Sequence, residues 1–227
     1  MKKILLTVML LIFVLSLSSC NGCEESKFAE AFSRGLADAY EGDEEAKGRV
    51  DVVVPAKDCG TVNTKDQNFM NGGSFYSYKD FNYGYISFSA EDLQQLFDTS
   101  EATQLDQAEL LLERHEYFSA YEANLVVAVA SGSPGTDYAT IQKSYEAALN
   151  GSNTVTVTTG NSDQTGDALE VTSLLEKAIT EKWLKKGGKD GLTFYVALED
   201  TNTEHSVEWF GVQGNSAPLL KVGFTQE

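Results

Sequence analysis

The sequence predicts a mainly β fold: an antiparallel β-sandwich with two or three short helices. Three observations carry that expectation. Leu192, Phe194, Val196 and Leu198 alternate with Thr193, Tyr195, Ala197 and Glu199, the pattern of a half-buried strand. Leu220, Val222 and Phe224 repeat it near the C-terminus. Between Phe75 and Phe88, seven of fourteen residues are Phe or Tyr, a composition that suits pleated, half-buried surfaces.

The last 62 positions, from Gly166, read as a short strand, a capped helix and three more strands. Ser173 and Glu176 have capping-box spacing. Leu175, Ile179 and Trp183 recur at fourfold spacing, and Lys185, Lys186 and Gly187 are placed to close the helix.

The N-terminus is a targeting segment rather than fold. Lys2 and Lys3 precede an apolar run from Ile4 to Leu17, too short to span a bilayer comfortably. It ends at Leu17-Ser18-Ser19-Cys20, which resembles the bacterial lipobox. That resemblance implies a leader over 1–19, cleavage before Cys20, and acyl chains on Cys20. Several chains on one residue anchor stably, at about 0.8 kcal/mol per buried methylene. Residues 20–49 read as a tether, within which Phe28, Phe32, Leu36 and Tyr40 have helical spacing. Glu24-Glu25 resembles surface-export signals of some Gram-negative lipoproteins, or belongs to a plain hydrophilic linker; the expected location is the outer membrane or cell surface.

Without Lys2 and Lys3 the balance is 15 basic against 34 acidic residues, a net charge near −19. That charge repels phosphates, so no nucleic-acid partner is expected, and a polyanionic polysaccharide is disfavoured unless a divalent cation bridges. Two cysteines remain, Cys23 and Cys59. In an exported chain they form a disulfide or stay as separate thiols.

Residues 50–227 are long enough for one core. Val50 to Pro55 reads as a strand and Gly60 to Gly73 as loop. Ser89-Ala90-Glu91-Asp92 opens a helical turn with Leu93, Leu96 and Phe97 as its stripe. Ala108 to Arg114 reads as a strand that turns back into the run Leu125 to Ala130. After the break at Ser131 to Gly135 comes a helix with Tyr138, Ile141, Tyr145 and Leu149 in phase. Val155 and Val157 mark a Thr-rich edge strand.

If Ile86 and Phe88 face the core, Tyr83 and Tyr85 face outward, and Tyr195 does so beside Phe194 and Val196. Outward rings offer flat faces to a pyranose, which makes Tyr83, Tyr85 and Tyr195 ligand candidates; alternatively they stabilise the sheet or lie beneath the inserted helix. Phe75, Tyr76 and Tyr78 are candidates for a loop-built site. No nucleophile elbow, phosphate loop or dinucleotide fingerprint is present, and His115 and His205 lack metalloprotease spacing. The chain reads as non-enzymatic. Asn161, Asp163 and Asp167 cluster in a Gly-bounded loop, a candidate calcium site.

The run ALEVTSLLEKAITEKW, then GLTFYVAL, then VEWFGVQGNSAPLLKV, resembles the C-terminal half of DNRLRE-type domains. Val171-Thr172, Trp183, Ala217-Pro218, Leu220 and Val222 fill that family's places; Gly84 to Phe88 and Ala108 to Leu112 are similar to its upstream strands. Glu170 replaces the usual Asp, and a middle W-x-E turn is missing. The resemblance implies a secreted jelly-roll module related to alginate-binding carbohydrate-binding modules, often with calcium. Two roles follow from it and from the residues: holding polysaccharide near the cell surface, or touching other envelope proteins. The first needs an open aromatic face; the second expects those rings to be buried.

Overall fold

A computed structural model describes residues 49–79, 81–98, 102–115, 123–151, 153–159, 166–199, 206–213 and 216–226. The leader, Cys20, Cys23 and the tether lie outside these residues. Within the unit Asp43–Glu227 the described chain is mainly β, and its strand pairings are antiparallel.

Twelve strands are described: β1 (Arg49–Pro55), β2 (Asp58–Asn63), β3 (Asn68–Asn71), β4 (Ser74–Tyr78), β5 (Asn82–Phe88), β6 (Ala102–Glu113), β7 (Asn124–Ser131), β8 (Thr154–Thr158), β9 (Gly166–Glu170), β10 (Leu192–Leu198), β11 (Ser206–Phe210) and β12 (Leu219–Gln226). Four helices join them: α1 (Ala90–Leu93), α2 (Gln95–Asp98), α3 (Tyr138–Asn150) and α4 (Thr172–Thr180). One sheet runs β1-β12-β6-β9 and the other β11-β4-β5-β10-β7-β8, with β2 also on β5 and β3 on β2. This is the expected sandwich-like arrangement.

The alternation decides which residues meet between the sheets. Ile86, Phe88, Phe194, Val196 and Leu198 of one sheet join Ala108, Leu110, Leu112, Leu220 and Val222 of the other in the main core. α1 and α4 add Leu93, Leu174, Leu175 and Ala178. Leu110, Phe194 and Leu220 are fully buried. Removing such a side chain typically costs about 2–5 kcal/mol.

Several expectations need correction. Gly60 to Gly73 is not loop; it contains β2 and β3. Gly60 permits their approach, since a Cβ there would lie 2.2 Å from the Met70 carbonyl oxygen. β6 does not turn back onto β7, because the two strands belong to different sheets. β10 is buried along all seven residues instead of half-buried. Its second face is covered by α3, which packs Ile141 and Ala148 against Tyr83, Tyr85, Ala128, Tyr195 and Ala197.

The helix after β9 also differs. The Ser173–Glu176 box is not formed: Val171 holds the N-cap position and no side chain caps there. The first turn is tied otherwise. The Thr172 N–H donates to Glu170 Oε1 at 3.0 Å, and the Ala108 N–H donates to Thr172 Oγ1 at 2.7 Å. α4 stops at Thr180, before Trp183 and the Lys185–Gly187 signal, and Lys182 turns the chain at φ 63°.

Candidate functional site

The rings singled out by the alternation do come together, as a floor on the outer face of the larger sheet. Strand register places Tyr195 opposite Tyr85, and Tyr85 in turn opposite Gly60. The floor is closed. Tyr83 is 3 % exposed, Tyr85 1 % and Tyr195 0 %. α3 supplies the cover, and Tyr145 stacks on Tyr83 at 4.0 Å between centroids and 23° between planes. Tyr145 also lies 5.4 Å from the Tyr195 ring, which meets Tyr83 edge-on at 6.0 Å.

Two of the floor's three hydroxyls donate to protein partners, while the buried Tyr195 hydroxyl makes no hydrogen bond within the usual geometry among the described residues. Tyr83 Oη donates to Gln142 Oε1 of α3 at 2.9 Å. Tyr85 Oη donates to Asn71 Oδ1 at 2.7 Å. Burial pushes the Tyr195 phenol up to about 12. Burial likewise raises Tyr83 and Tyr85 well above the ordinary phenol range, and Asp58 adds to the rise at Tyr85. As placed, these three rings offer no face to a pyranose; of the alternatives open from the sequence, the one in which they lie beneath the inserted helix is observed.

The earlier rings divide. Phe75 is fully buried, stacks on Trp209 at 5.3 Å, and lies over Gly84, where a Cβ would come 2.6 Å from its ring. Tyr76 and Tyr78 point the other way on β4 and are half-exposed. Phe81, which the alternation did not single out, meets Tyr78 edge-on at 5.3 Å. Lys79 Nζ lies 5.1 Å from the Tyr78 ring centre, and Lys65 Nζ lies 5.9 Å from that of Phe81. Burial, then Glu208 and Asp66, raises the Tyr76 phenol.

Asp167 does not sit as a calcium ligand would. Arg114 donates from Nε to Asp167 Oδ2 at 2.8 Å and from Nη2 to Oδ1 at 2.7 Å. Trp209 Nε1 donates to the same Oδ2 at 2.8 Å. The pair is buried, with side chains 2 % and 1 % exposed. β9, β11 and the residue just after β6 therefore meet at one carboxylate, whose oxygens are taken by a guanidinium and an indole. Asn161 and Asp163 lie outside the described residues. Among the described residues no group of three or more His, Cys, Asp and Glu is placed to hold a metal.

Cys59 is a free thiol in the main core, and its Sγ accepts the Val212 N–H at 3.2 Å. Burial pushes it up to about 11. Cys23, the other half of the disulfide alternative, lies outside the described residues. His115 lies against the Phe210 ring at 4.8 Å, and His205 is outside the described residues.

A groove of about 510 Å³ opens beside α4, lined by Leu96, Phe97, Leu105, Ile179, Phe224 and others. Glu176 is the one carboxylate among its described lining residues. No protein-family model matches this sequence, and no curated protein matches it either.

Proposed function

We propose that the chain is a non-catalytic module of the bacterial cell envelope, anchored by lipid at Cys20, that acts by contact with other envelope proteins. The observation that carries this reading is the cover over the aromatic floor: α3 takes the face on which a polysaccharide would stack. The anchor rests on the Leu17-Ser18-Ser19-Cys20 tetrad, and the outer membrane or cell surface is the proposed location. The acidic surface suits solubility outside the cytoplasm. The proposed kinship with DNRLRE-type modules is supported by the antiparallel sandwich and by the quoted motifs, and it does not itself choose a ligand.

One observation favours a second reading. Tyr76, Tyr78 and Phe81 form a half-exposed corner with Asn63, Asp66 and Glu208 near them, a place where a sugar ring stacks and hydrogen-bonds. Affinity electrophoresis through polysaccharide gels separates the two, with wild type run beside the Tyr76→Ala/Tyr78→Ala double variant. The first reading expects the same mobility for both in neutral and acidic gels, with or without calcium. Retardation of wild type that the double variant loses would overturn it in favour of the sugar corner.

A further inference from the structure

β8 ends the larger sheet. It pairs with β7 on one side, and among the described residues no strand pairs with its other side. The ladder fixes which groups that side presents. The Val129 N–H donates to the Asn153 carbonyl at 3.0 Å, and the Thr159 N–H to the Ala123 carbonyl at 2.9 Å. In an antiparallel pair the bonded residues alternate, so the odd-numbered positions of this stretch bond to β7. The N–H and C=O groups of Thr154, Thr156 and Thr158 therefore point to the open side. Thr156 and Thr158 are exposed, and Val155 and Val157 stay only partly buried although they pack on the main core.

An open edge invites another strand, and sheets usually blunt it with charge, proline or shortness. The other edges here are blunted. β1 ends at Pro55 and carries Asp51, which pairs with Arg49 and Lys221. β9 carries Asp167 and Glu170, and β11 carries Glu208. β3 is four residues long with asparagine at both ends. β8 is Thr-Val-Thr-Val-Thr, wholly β-branched, with neither charge nor proline in a strongly acidic chain.

That run reads the same in both directions. Two copies laid antiparallel about a two-fold axis through Thr156 put Thr154 opposite Thr158, Val155 opposite Val157, and Thr156 opposite its own copy. The open groups then match, and each facing Thr pair exchanges both of its backbone hydrogen bonds. On the core side Val155 and Val157 meet the second copy's valines in the closer, non-bonded pairs, which covers their exposed remainder. No like charges face each other along the strands, whereas elsewhere two acidic copies repel.

We propose that β8 is a self-association edge, through which two copies of this chain join their larger sheets across an isologous two-fold. Such a dimer goes beyond the contacts with other proteins proposed above and stands without them.

Disulfide trapping in the full chain, purified in excess detergent, tests the register. Facing Thr156 residues would lie about 5.5 Å apart at Cα, within disulfide reach, while two Thr154 residues would lie about 14 Å apart along the strands. Under mild oxidation Thr156→Cys should give about tenfold more linked dimer than Thr154→Cys, above the wild-type background from Cys20 and Cys23. Mixing Thr154→Cys with Thr158→Cys should restore the link. Thr156→Lys sets two lysines face to face and should weaken self-association about tenfold in sedimentation, while Met70→Lys on β3 should leave it unchanged. A wild type that sediments as a monomer at every concentration overturns the proposal. So does equal trapping at positions 154 and 156.

Discussion

Asp167 accepts from Arg114 and Trp209 while nearly sealed from water, so its loss removes two charge-assisted bonds from a buried guanidinium. Asp167→Ala should therefore cost about 3–5 kcal/mol, read by urea denaturation, whereas calcium or its chelation should leave wild-type stability unchanged. A loss under about 1 kcal/mol would mean that water reaches the pair. Cys59 gives a second residue-level test. At about pH 8, below its raised value of about 11, the folded protein should leave this thiol unmodified by a disulfide reagent, and urea should release it. The tyrosines give a third, and its sign follows from their raised values. Their neutral form is favoured in the fold, so the stability they contribute is complete below the unfolded phenol value of about 10. It is lost as pH rises through the folded values, about 12 for Tyr195. Phenolate absorbance should reveal a set of tyrosines that titrates only as the sheet unfolds; ordinary titration of every tyrosine in the folded state would contradict a closed floor. Residue identities alone showed Asp167 as an oxygen donor in a Gly-bounded loop. Its partner Arg114 is 53 positions away, a pairing that no local pattern encodes.

Elements obeyed their local signals unevenly. α3 begins as its sequence indicates: Asp137 Oδ1 accepts the Thr140 N–H at 3.0 Å, which holds that carboxylate below its usual range. α4 does not. Its Ser173–Glu176 spacing is matched by chance, while Thr172 is taken up by Ala108 on the neighbouring strand. Ser173→Ala should thus change stability by less than about 0.5 kcal/mol. Thr172→Val, which removes the acceptor of a backbone N–H, should cost about 1 kcal/mol. The reverse order in denaturation midpoints would restore the capping box. β10 shows why the aromatic floor was only half legible. Period two separated Phe194 and Val196 from Tyr195 and Ala197 correctly. What covers a sheet's second face depends on where a distant helix folds back. β2 and β3 were missed for a related reason: Gly60, Thr61 and Asn63 lack apolar alternation, and pairing with β5 makes the strand.

For the whole molecule, antiparallel pairing and a mainly β body were legible because turn signals separate many short apolar runs. Partner choice was not. β6 and β7 follow each other in sequence yet serve different sheets, while β12 reaches back to both β1 and β6. The proposed anchor acts at this scale too. Cys20→Ala should move the protein from the membrane fraction to the soluble one, and continued sedimentation with membranes would refute lipid attachment there. The central claim is that the floor of Tyr83, Tyr85 and Tyr195 is covered, leaving the module to work by protein contact. Affinity electrophoresis of wild type in neutral and acidic polysaccharide gels tests it most directly. Unretarded migration, with and without calcium, is the expected result; retardation that Tyr83→Ala or Tyr195→Ala abolishes in a still-folded protein would contradict it.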